Sequence, residues 1–207
     1  GGVESSPAEM VEAAGRARDK VGGMAVEGLG AVGERGEMRV ACCYRTTVPG
    51  SCAIGYIVAG PAVAHVASAE GICCVEAICG LNPAPVDYTT IPSCVFTQPE
   101  VASVGMTEQQ AREQGIEYRV GRFPFTASGK ATAAGEREGF VKLLFDADER
   151  LLGAHMVGGS VTEMPADPTP ARRLGATAPH TARTSHAHPS FPDRGIEAPQ
   201  RATAAAL

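Results

Sequence analysis

The chain has 207 residues, enough for one large domain or two small ones with a substantial buried core. Its formal net charge is −5 and it has no long run of Lys and Arg, which argues against a nucleic-acid or anionic-membrane surface. No apolar stretch approaches the roughly 20 residues of a membrane span. Charged residues throughout the start of the chain argue against a secretory signal there. We therefore expect a soluble, cytoplasmic protein.

Residues 1–37 are rich in Gly, Ala and Glu and are expected to form a poorly defined lead-in. They contain the pattern Gly-x-Gly-x-x-Gly from Gly28 to Gly33. In a dinucleotide-binding fold this pattern follows a strand and opens a helix. Here further glycines lie just upstream, and Gly36 interrupts the segment that follows. We interpret the match as accidental.

The next segment, 38–82, predicts two short strands joined by a turn, followed by a helix. The two strands are predicted at Met38–Val40 and Cys52–Ile54, with a turn at Pro49-Gly50 between them. The helix is predicted at Ala64–Ile78. Residues 82–85 contain two prolines, which oppose both a helix and ladder pairing. This stretch is predicted to be a linker.

Seven cysteines lie between Cys42 and Cys94, and two interpretations of them are open. An odd number with two adjacent pairs is a poor disulfide framework, and no Cys-x-x-Cys pair is present for zinc, so we expect no metal site. Cys74 and Cys79 have the Cys-x4-Cys spacing of some redox pairs, but on a helix such side chains point about 140° apart. We favour reduced, small core residues.

The stretch from Asp87 to Met164 predicts five strands and one helix. The strands are predicted at Ser93–Thr97, Val101–Gly105, Glu117–Pro124, Gly139–Asp146 and Arg150–Gly158. Thr107 is a suitable N-cap for a helix that Gly115 ends. Strands without βαβ alternation predict an α+β fold, an antiparallel sheet flanked by helices. From about residue 165 onward, degraded helices are predicted, because an interior proline costs a helix roughly 3 kcal/mol and the presumed helices contain Pro165, Pro168, Pro170 and Pro179.

Two segments of 38–82 carry a family resemblance. Tyr44–Tyr56 (YRTTVPGSCAIGY) resembles the second flavin-binding segment of the pyridine nucleotide-disulfide oxidoreductases, and Ala64–Gly71 (AHVASAEG) resembles the helix beside their flavin. The family's segment ends Ile-Gly-Asp, and that Asp hydrogen-bonds the ribityl chain of FAD, whereas this chain has Tyr56 there. The resemblance implies cofactor contacts from Gly55, Tyr56, Ala64 and His65, in a remnant of the FAD-binding domain spanning 38–82.

The longest resemblance runs from Val86 to Met164. Its motifs include FTQPEVASVG, GRFPF, GFVK and LGAHMVG, in the order and at the spacing found in the interface domain of dihydrolipoamide dehydrogenase. In that family the domain holds two subunits together. The resemblance therefore implies an interface, or dimerisation, domain at 83–207. It also implies a homodimer or pairing with a full-length relative, and membership of a 2-oxo acid dehydrogenase complex.

The segment Thr184–Phe191 (TSHAHPSF) is similar to the family's His-x-His-Pro loop, in which the second histidine is the catalytic base. That position is His188. In the family this imidazole takes a proton from a dithiol and so produces the attacking thiolate. A Glu five residues later orients the ring, and Asp193 stands there in this chain. Asp keeps the charge but is one methylene shorter, so we expect weaker orientation.

The resemblance implies the C-terminal part of a dihydrolipoamide dehydrogenase, which oxidises dihydrolipoamide to lipoamide with NAD by way of FAD. That reaction also needs an FAD fingerprint, a redox cysteine pair and an NAD domain, and the sequence before Val40 contains none of them. We therefore expect this chain alone to be inactive. The alternatives are a non-catalytic dimerisation module and an inactive remnant. Whether flavin binds beside Tyr56, and whether the region after Met164 folds, stay open from the sequence.

Overall fold

The structure is a computed structural model that describes residues 37–193 together with 195, 198, 199 and 202. The chain divides between Val86 and Asp87 into two compact units. The predicted lead-in, apart from Glu37, and the Gly28–Gly33 pattern lie outside the described residues. In the part of the chain that the structure describes, no helix has both the length and the apolar character needed to cross a membrane.

The first unit, as described from residue 37, is built on one helix, α1 (Ala64–Ile78), which has the predicted bounds. The predicted turn is present, because the Ser51 N–H donates to the Val48 carbonyl at 3.1 Å. The predicted strands are wrong: Met38 and Cys52 each form only a single bridge. A 3₁₀ turn begins within two residues of the end of each predicted strand, so pairing does not extend. These turns are Cys42–Tyr44 and Gly55–Ile57.

The second unit contains a fully antiparallel sheet, which confirms the predicted α+β fold. Its described strands are β1 (Ser93–Val95), β2 (Glu100–Gly105), β3 (Tyr118–Pro124), β4 (Gly139–Asp146) and β5 (Leu151–Gly158). They lie in the order β1-β2-β5-β4-β3, and each neighbouring pair is antiparallel. The β4–β5 hairpin turns at Glu149, which has a φ of 64°.

One face of this sheet forms the main core. Side chains alternate between the two faces of a strand, and the inward set is apolar in β2, β3, β4 and β5. These buried residues are Ala102, Val104, Phe123, Val141, Leu143, Ala154 and Met156. Ala131 and Ala178, from two of the flanking helices, join the same cluster. The opposite face of the sheet carries mainly polar and half-exposed residues, with the fully buried Leu144 of β4 as an exception.

Four short helices accompany the sheet in the described residues. They are α2 (Glu108–Glu113), α3 (Gly129–Ala134), α4 (Pro168–Arg173) and α5 (Ala178–Arg183). Thr107 caps α2 as predicted, and Gln110 completes a capping box. Helix α3 was not predicted, although Ser128 caps its start and the left-handed Gly135 ends it. Its six residues are too few to show a helical period.

The prolines after Met164 shorten the helices without abolishing them. Pro168 and Pro170 lie in the first turn of α4, and Pro179 lies in the first turn of α5. First-turn N–H groups have no intrahelical acceptor, so a proline there removes no helical hydrogen bond. Pro165 lies in the 3₁₀ turn Val161–Ala166. The full penalty of an interior proline therefore does not apply.

Candidate functional site

The His188 imidazole and the Asp193 carboxylate meet in the loop that follows α5. His188 Nδ1 lies 2.5 Å from Asp193 Oδ2. The side chain of His188 is 74% exposed and that of Asp193 is 29% exposed, so the pair is open to an incoming group on the histidine side. The structure therefore brings together the two residues that the sequence analysis proposed as base and orienting carboxylate.

A tight turn between them explains how the shorter carboxylate reaches the ring. The Asp193 N–H donates to Ser190 Oγ at 3.3 Å, and this bond bends the chain back toward His188. An ionised carboxylate can only accept, so the hydrogen of the neutral ring lies on Nδ1. Nε2 then carries the lone pair that accepts a proton. The weaker orientation expected for Asp stays a prediction, but the distance shows that Asp193 makes the contact.

Contacts with other elements of the second unit anchor this loop. His186 Nε2 lies 2.9 Å from Asp167 Oδ2, at the start of α4, and His186 Nδ1 lies 3.1 Å from the Thr184 carbonyl. Phe191 packs against the main core, with the Lys130 ammonium 5.4 Å from its ring centroid. His186 and Asp167 also line a cavity of about 160 Å³. The loop is therefore fixed on both sides of His188.

The proposed cofactor residues lie in the first unit. Gly55 and Tyr56 belong to the 3₁₀ turn, and Ala64 and His65 form the exposed start of α1. Gly55 has a φ of 75°, and a Cβ there would lie 3.1 Å from the Cβ of Ala67 in α1. The structure thus places Gly55 against α1, whereas the Tyr56 side chain is 45% exposed.

A buried carboxylate that the sequence analysis did not single out holds this turn. Glu70 of α1 is 1% exposed, and its Oε2 accepts the Gly55 N–H at 2.6 Å. Burying a carboxylate is costly unless it is hydrogen-bonded. The sequence feature that could have identified Glu70 is its position on the buried face of α1, between Val66 and Cys73.

These residues fit a flavin only in part. Val63, the N-cap of α1, makes no side-chain cap bond, so the positive end of the helix suits a partly negative group. However, Glu70 already accepts the Gly55 N–H, and Tyr56 supplies a phenol where the family has a carboxylate. The fit of these residues to FAD is therefore incomplete.

All seven cysteines are free, as predicted, but they are not all core residues. Cys73 and Cys74 are buried, whereas Cys42, Cys52 and Cys79 are exposed. Cys42 begins the 3₁₀ turn Cys42–Tyr44, and Cys52 forms only an isolated bridge with Arg45, so neither lies in an extended strand. Cys74 and Cys79 differ in burial, which agrees with thiols that point in different directions.

A charged cluster lies on the outer face of the sheet, which is the face opposite the main core. Glu108 accepts from Lys142 Nζ at 2.9 Å, from Arg112 at 3.1 Å and from the Tyr118 hydroxyl at 3.3 Å. The hydrogen bond from Lys142 is the main cause that lowers the pKa of Glu108 below its ordinary value. His155 donates to the Met106 carbonyl at 2.9 Å, and burial lowers its pKa.

An apolar row crosses the outer face beside this cluster. It consists of Val95, Val101, Val157, Phe140 and Pro124. Each of these residues is paired with the next one across neighbouring strands of the sheet. The side chains of Val95 and Val101 are 48% and 38% exposed. A continuous, partly exposed apolar strip of this kind is characteristic of a contact surface.

The fold and loop define a class of protein, and the sequence comparison agrees. Residues 91–199, more than half of the chain, match the family described as "Pyridine nucleotide-disulphide oxidoreductase, dimerisation domain". The chain therefore belongs to this family.

Within it, the curated relatives are dihydrolipoyl dehydrogenases, which confirms the resemblance found in the sequence. The mitochondrial enzyme of Caenorhabditis elegans is 44% identical over 165 residues, which are 79% of this chain and 33% of the relative. The enzyme of Bacillus subtilis is 40% identical over 190 residues, 91% of this chain and 40% of the relative. The chain thus spans about a third to two fifths of these relatives.

Solved structures show the same fold. LpdA from Mycobacterium tuberculosis aligns with a TM-score of 0.82 at 24% identity, over 88% of this chain and 40% of LpdA. The flavoprotein disulfide reductase RclA from Escherichia coli, in its Cu(II) complex, aligns with a TM-score of 0.77 at 26% identity. That alignment covers 82% of this chain and 39% of RclA.

Proposed function

We propose that this chain is the C-terminal part of a dihydrolipoamide dehydrogenase, and that it supplies the dimer interface and the general base His188. The observation that carries the proposal is the 2.5 Å contact between His188 and Asp193, in a loop anchored to a dimerisation domain. Oxidation of dihydrolipoamide needs a base for its thiol, because the thiolate is the attacking species. Asp193 prepares His188 for that role by holding the hydrogen on Nδ1.

The electrostatics of the pair suit this task. When Nε2 takes the proton, the ring becomes an imidazolium beside the Asp193 carboxylate, which stabilises the new charge. The exposure of His188 fits a base that serves a substrate held by another subunit. In this proposal, redox chemistry resides in FAD and NAD bound by the rest of the enzyme. The catalytic unit is then a homodimer or a pairing with a full-length relative, within a 2-oxo acid dehydrogenase complex.

The test is a chimera of the Bacillus subtilis dihydrolipoyl dehydrogenase in which the matching segment is replaced by residues 87–207 of this chain. We expect the chimera to reduce NAD with dihydrolipoamide. His188→Gln should lower kcat by about 10²–10⁴-fold, the usual contribution of a general base. Asp148→Asn, in the exposed β4–β5 turn, is the control and should leave kcat unchanged. Bound-flavin absorbance verifies that each chimera is assembled.

An equal kcat in an assembled His188→Gln chimera would remove the base from the proposal. It would favour the second candidate, a non-catalytic dimerisation module. The apolar row on the outer face supports that candidate. That candidate predicts self-association of the chain without any contribution to turnover. The cellular location stays a sequence prediction, since the relatives include enzymes named mitochondrial.

A further inference from the structure

Two adjacent cysteines, Cys42 and Cys43, lie side by side in a turn of the first unit. They begin the 3₁₀ turn Cys42–Tyr44, at the start of the segment that resembles a flavin-binding segment, and their Sγ atoms are 3.4 Å apart. Cys42 is exposed and Cys43 is half-buried, so both sulfur atoms lie close to the surface. The pair is therefore a dithiol that a reagent in solution can reach.

The backbone holds the two thiols in this arrangement. Cys43 adopts a left-handed conformation with a φ of 54°, which few residues other than Gly favour. The Ala41 N–H donates to the Arg45 carbonyl at 2.8 Å, and the Ala53 N–H donates to the Tyr44 carbonyl at 3.0 Å. Tyr44 is buried at 8% exposure and packs on α1 through the buried cysteines there. These contacts fix the turn on both sides of the pair.

We propose that Cys42 and Cys43 form a chelating site for compounds of trivalent arsenic or antimony. Sulfur ligands prefer soft, thiophilic centres. A trivalent arsenoxide condenses with two thiols: two arsenic–sulfur bonds form, the arsenic–oxygen double bond breaks, and both thiol protons leave with that oxygen as water. No oxidant or reductant is consumed. The hydrogen bond with Cys43 raises the pKa of the Cys42 thiol, so that thiol enters the condensation protonated.

The distance between the sulfur atoms suits a pyramidal centre better than a tetrahedral one. Two bonds of about 2.3 Å, the length of a zinc–sulfur bond, span the observed 3.4 Å at an angle near 95°. A tetrahedral angle would need a separation of about 3.8 Å with the same bonds. A trivalent arsenic atom, whose lone pair compresses its bond angles, matches the narrower geometry.

Cys74 is the centre of a competing set of thiols, because it interacts with Cys52, Cys73 and Cys43. Cys74 hydrogen-bonds to Cys52, and burial, followed by this hydrogen bond, raises the pKa of Cys74. Cys74 is buried on α1, whereas Cys42 is exposed. A reagent that must contact both sulfur atoms therefore reaches the Cys42–Cys43 pair first.

The experiment treats the reduced, full 207-residue chain with phenylarsine oxide and measures intact mass. We expect one adduct per chain, with the mass of the reagent less one water. Excess glutathione should leave it in place, and 2,3-dimercaptopropanol should remove it. Peptide mapping of the wild-type adduct should locate the arsenic on the peptide that contains Cys42 and Cys43. This mapping does not depend on any variant folding.

Single serine variants complete the test. Cys42→Ser and Cys43→Ser should each weaken the apparent affinity at least about 100-fold, because a second bond within one molecule adds at least that factor. Cys79→Ser, which removes another exposed thiol, should match the wild type. A glutathione-resistant adduct that persists in Cys42→Ser, or that maps to Cys52 and Cys74, overturns the proposal. Neither outcome bears on the role of His188.

Discussion

Gly55 lies at a close approach between the 3₁₀ turn and α1. A left-handed residue with a Cβ costs about 1–2 kcal/mol, and here a Cβ would also lie 3.1 Å from the Cβ of Ala67. Overpacking of this kind typically adds about 1–3 kcal/mol. We therefore predict that Gly55→Ala lowers the free energy of unfolding by both amounts, as measured by urea denaturation.

Gly80→Ala separates the two costs. Gly80 also has a positive φ, of 80°, but nothing lies within 4 Å of a Cβ built there. The Gly80→Ala variant should lose only the conformational part of the free energy of unfolding, about 1–2 kcal/mol. If both variants lost the same free energy, the contact with Ala67 would not constrain the turn.

Asp193 should set the tautomer of His188. In the wild type, the carboxylate favours the ring with hydrogen on Nδ1. Without it, as in Asp193→Ala, we predict a mixture of tautomers, because either nitrogen of a free imidazole can carry the hydrogen. Ring ¹⁵N chemical shifts measure this directly, and Asp148→Ala is the control. Unchanged shifts in Asp193→Ala would show that the pair is not maintained in solution.

Sequence reasoning could predict that His188 and Asp193 meet, because they lie in one short motif with fixed spacing. It did not find Glu70, whose importance depends on a contact with Gly55 fifteen positions away. The same holds for His155, which bonds to Met106 across 49 positions. A local sequence motif can identify residues that act together with near neighbours in the chain. Residues such as Glu70 and His155 act through tertiary contacts, which a local motif does not show.

At the level of elements, the base loop depends on α4. The His188–Asp193 contact is internal to the loop, so it does not fix the loop relative to the sheet. The bond between His186 and Asp167 does so across 19 positions. We predict that Asp167→Ala leaves the His188–Asp193 contact intact but raises amide hydrogen exchange in 184–193, because local opening becomes easier.

Asp148→Ala is again the matched control and should not change exchange in the loop. Asp167→Glu, which keeps the carboxylate, should restore most of the protection. Equal protection in Asp167→Ala and the wild type would show that Phe191 alone anchors the loop.

Elements with a strong local signal were predicted well. Helix α1 and strand β4 have the predicted bounds, and the capped start of α2 follows from Thr107. The strands predicted near Met38 and Cys52 failed because a ladder needs a partner of matching length, which composition does not reveal. The prolines of α4 were misjudged because their effect depends on the turn of the helix in which they lie.

At the scale of the whole molecule, stability should fall as the pH falls. The folded pKa of His155 is lowered, so below its ordinary value of 6.5 the unfolded chain binds more protons and stability declines. The folded pKa of Glu108 is also lowered, so its contribution is present above 4.5 and is lost as the pH falls further. Urea denaturation from pH 7.5 to 3.5 should show both effects.

Two variants assign these effects. His155→Gln should flatten the profile below about pH 6.5, because glutamine does not titrate. Glu108→Gln should keep that slope and reduce the loss at lower pH, while Asp87, whose pKa is also lowered by its hydrogen bond from Thr89, keeps its own share. A His155→Gln profile identical to that of the wild type would mean that His155 titrates alike in the folded and unfolded chains.

Self-association tests the role of the sheet as a platform between subunits. Val101 lies in the apolar row, with β1 on one side and β5 on the other, and is 38% exposed. If a second copy covers this row, Val101→Lys buries an unpaired ammonium in the interface, which costs several kcal/mol. We therefore predict a dimer for the wild type and a monomer for Val101→Lys in sedimentation velocity. Ala147→Lys adds the same charge in the exposed β4–β5 turn and should stay dimeric. A dimer that survives Val101→Lys would place the contact on another surface, because a partly buried row does not accept a charge without a measurable loss of affinity.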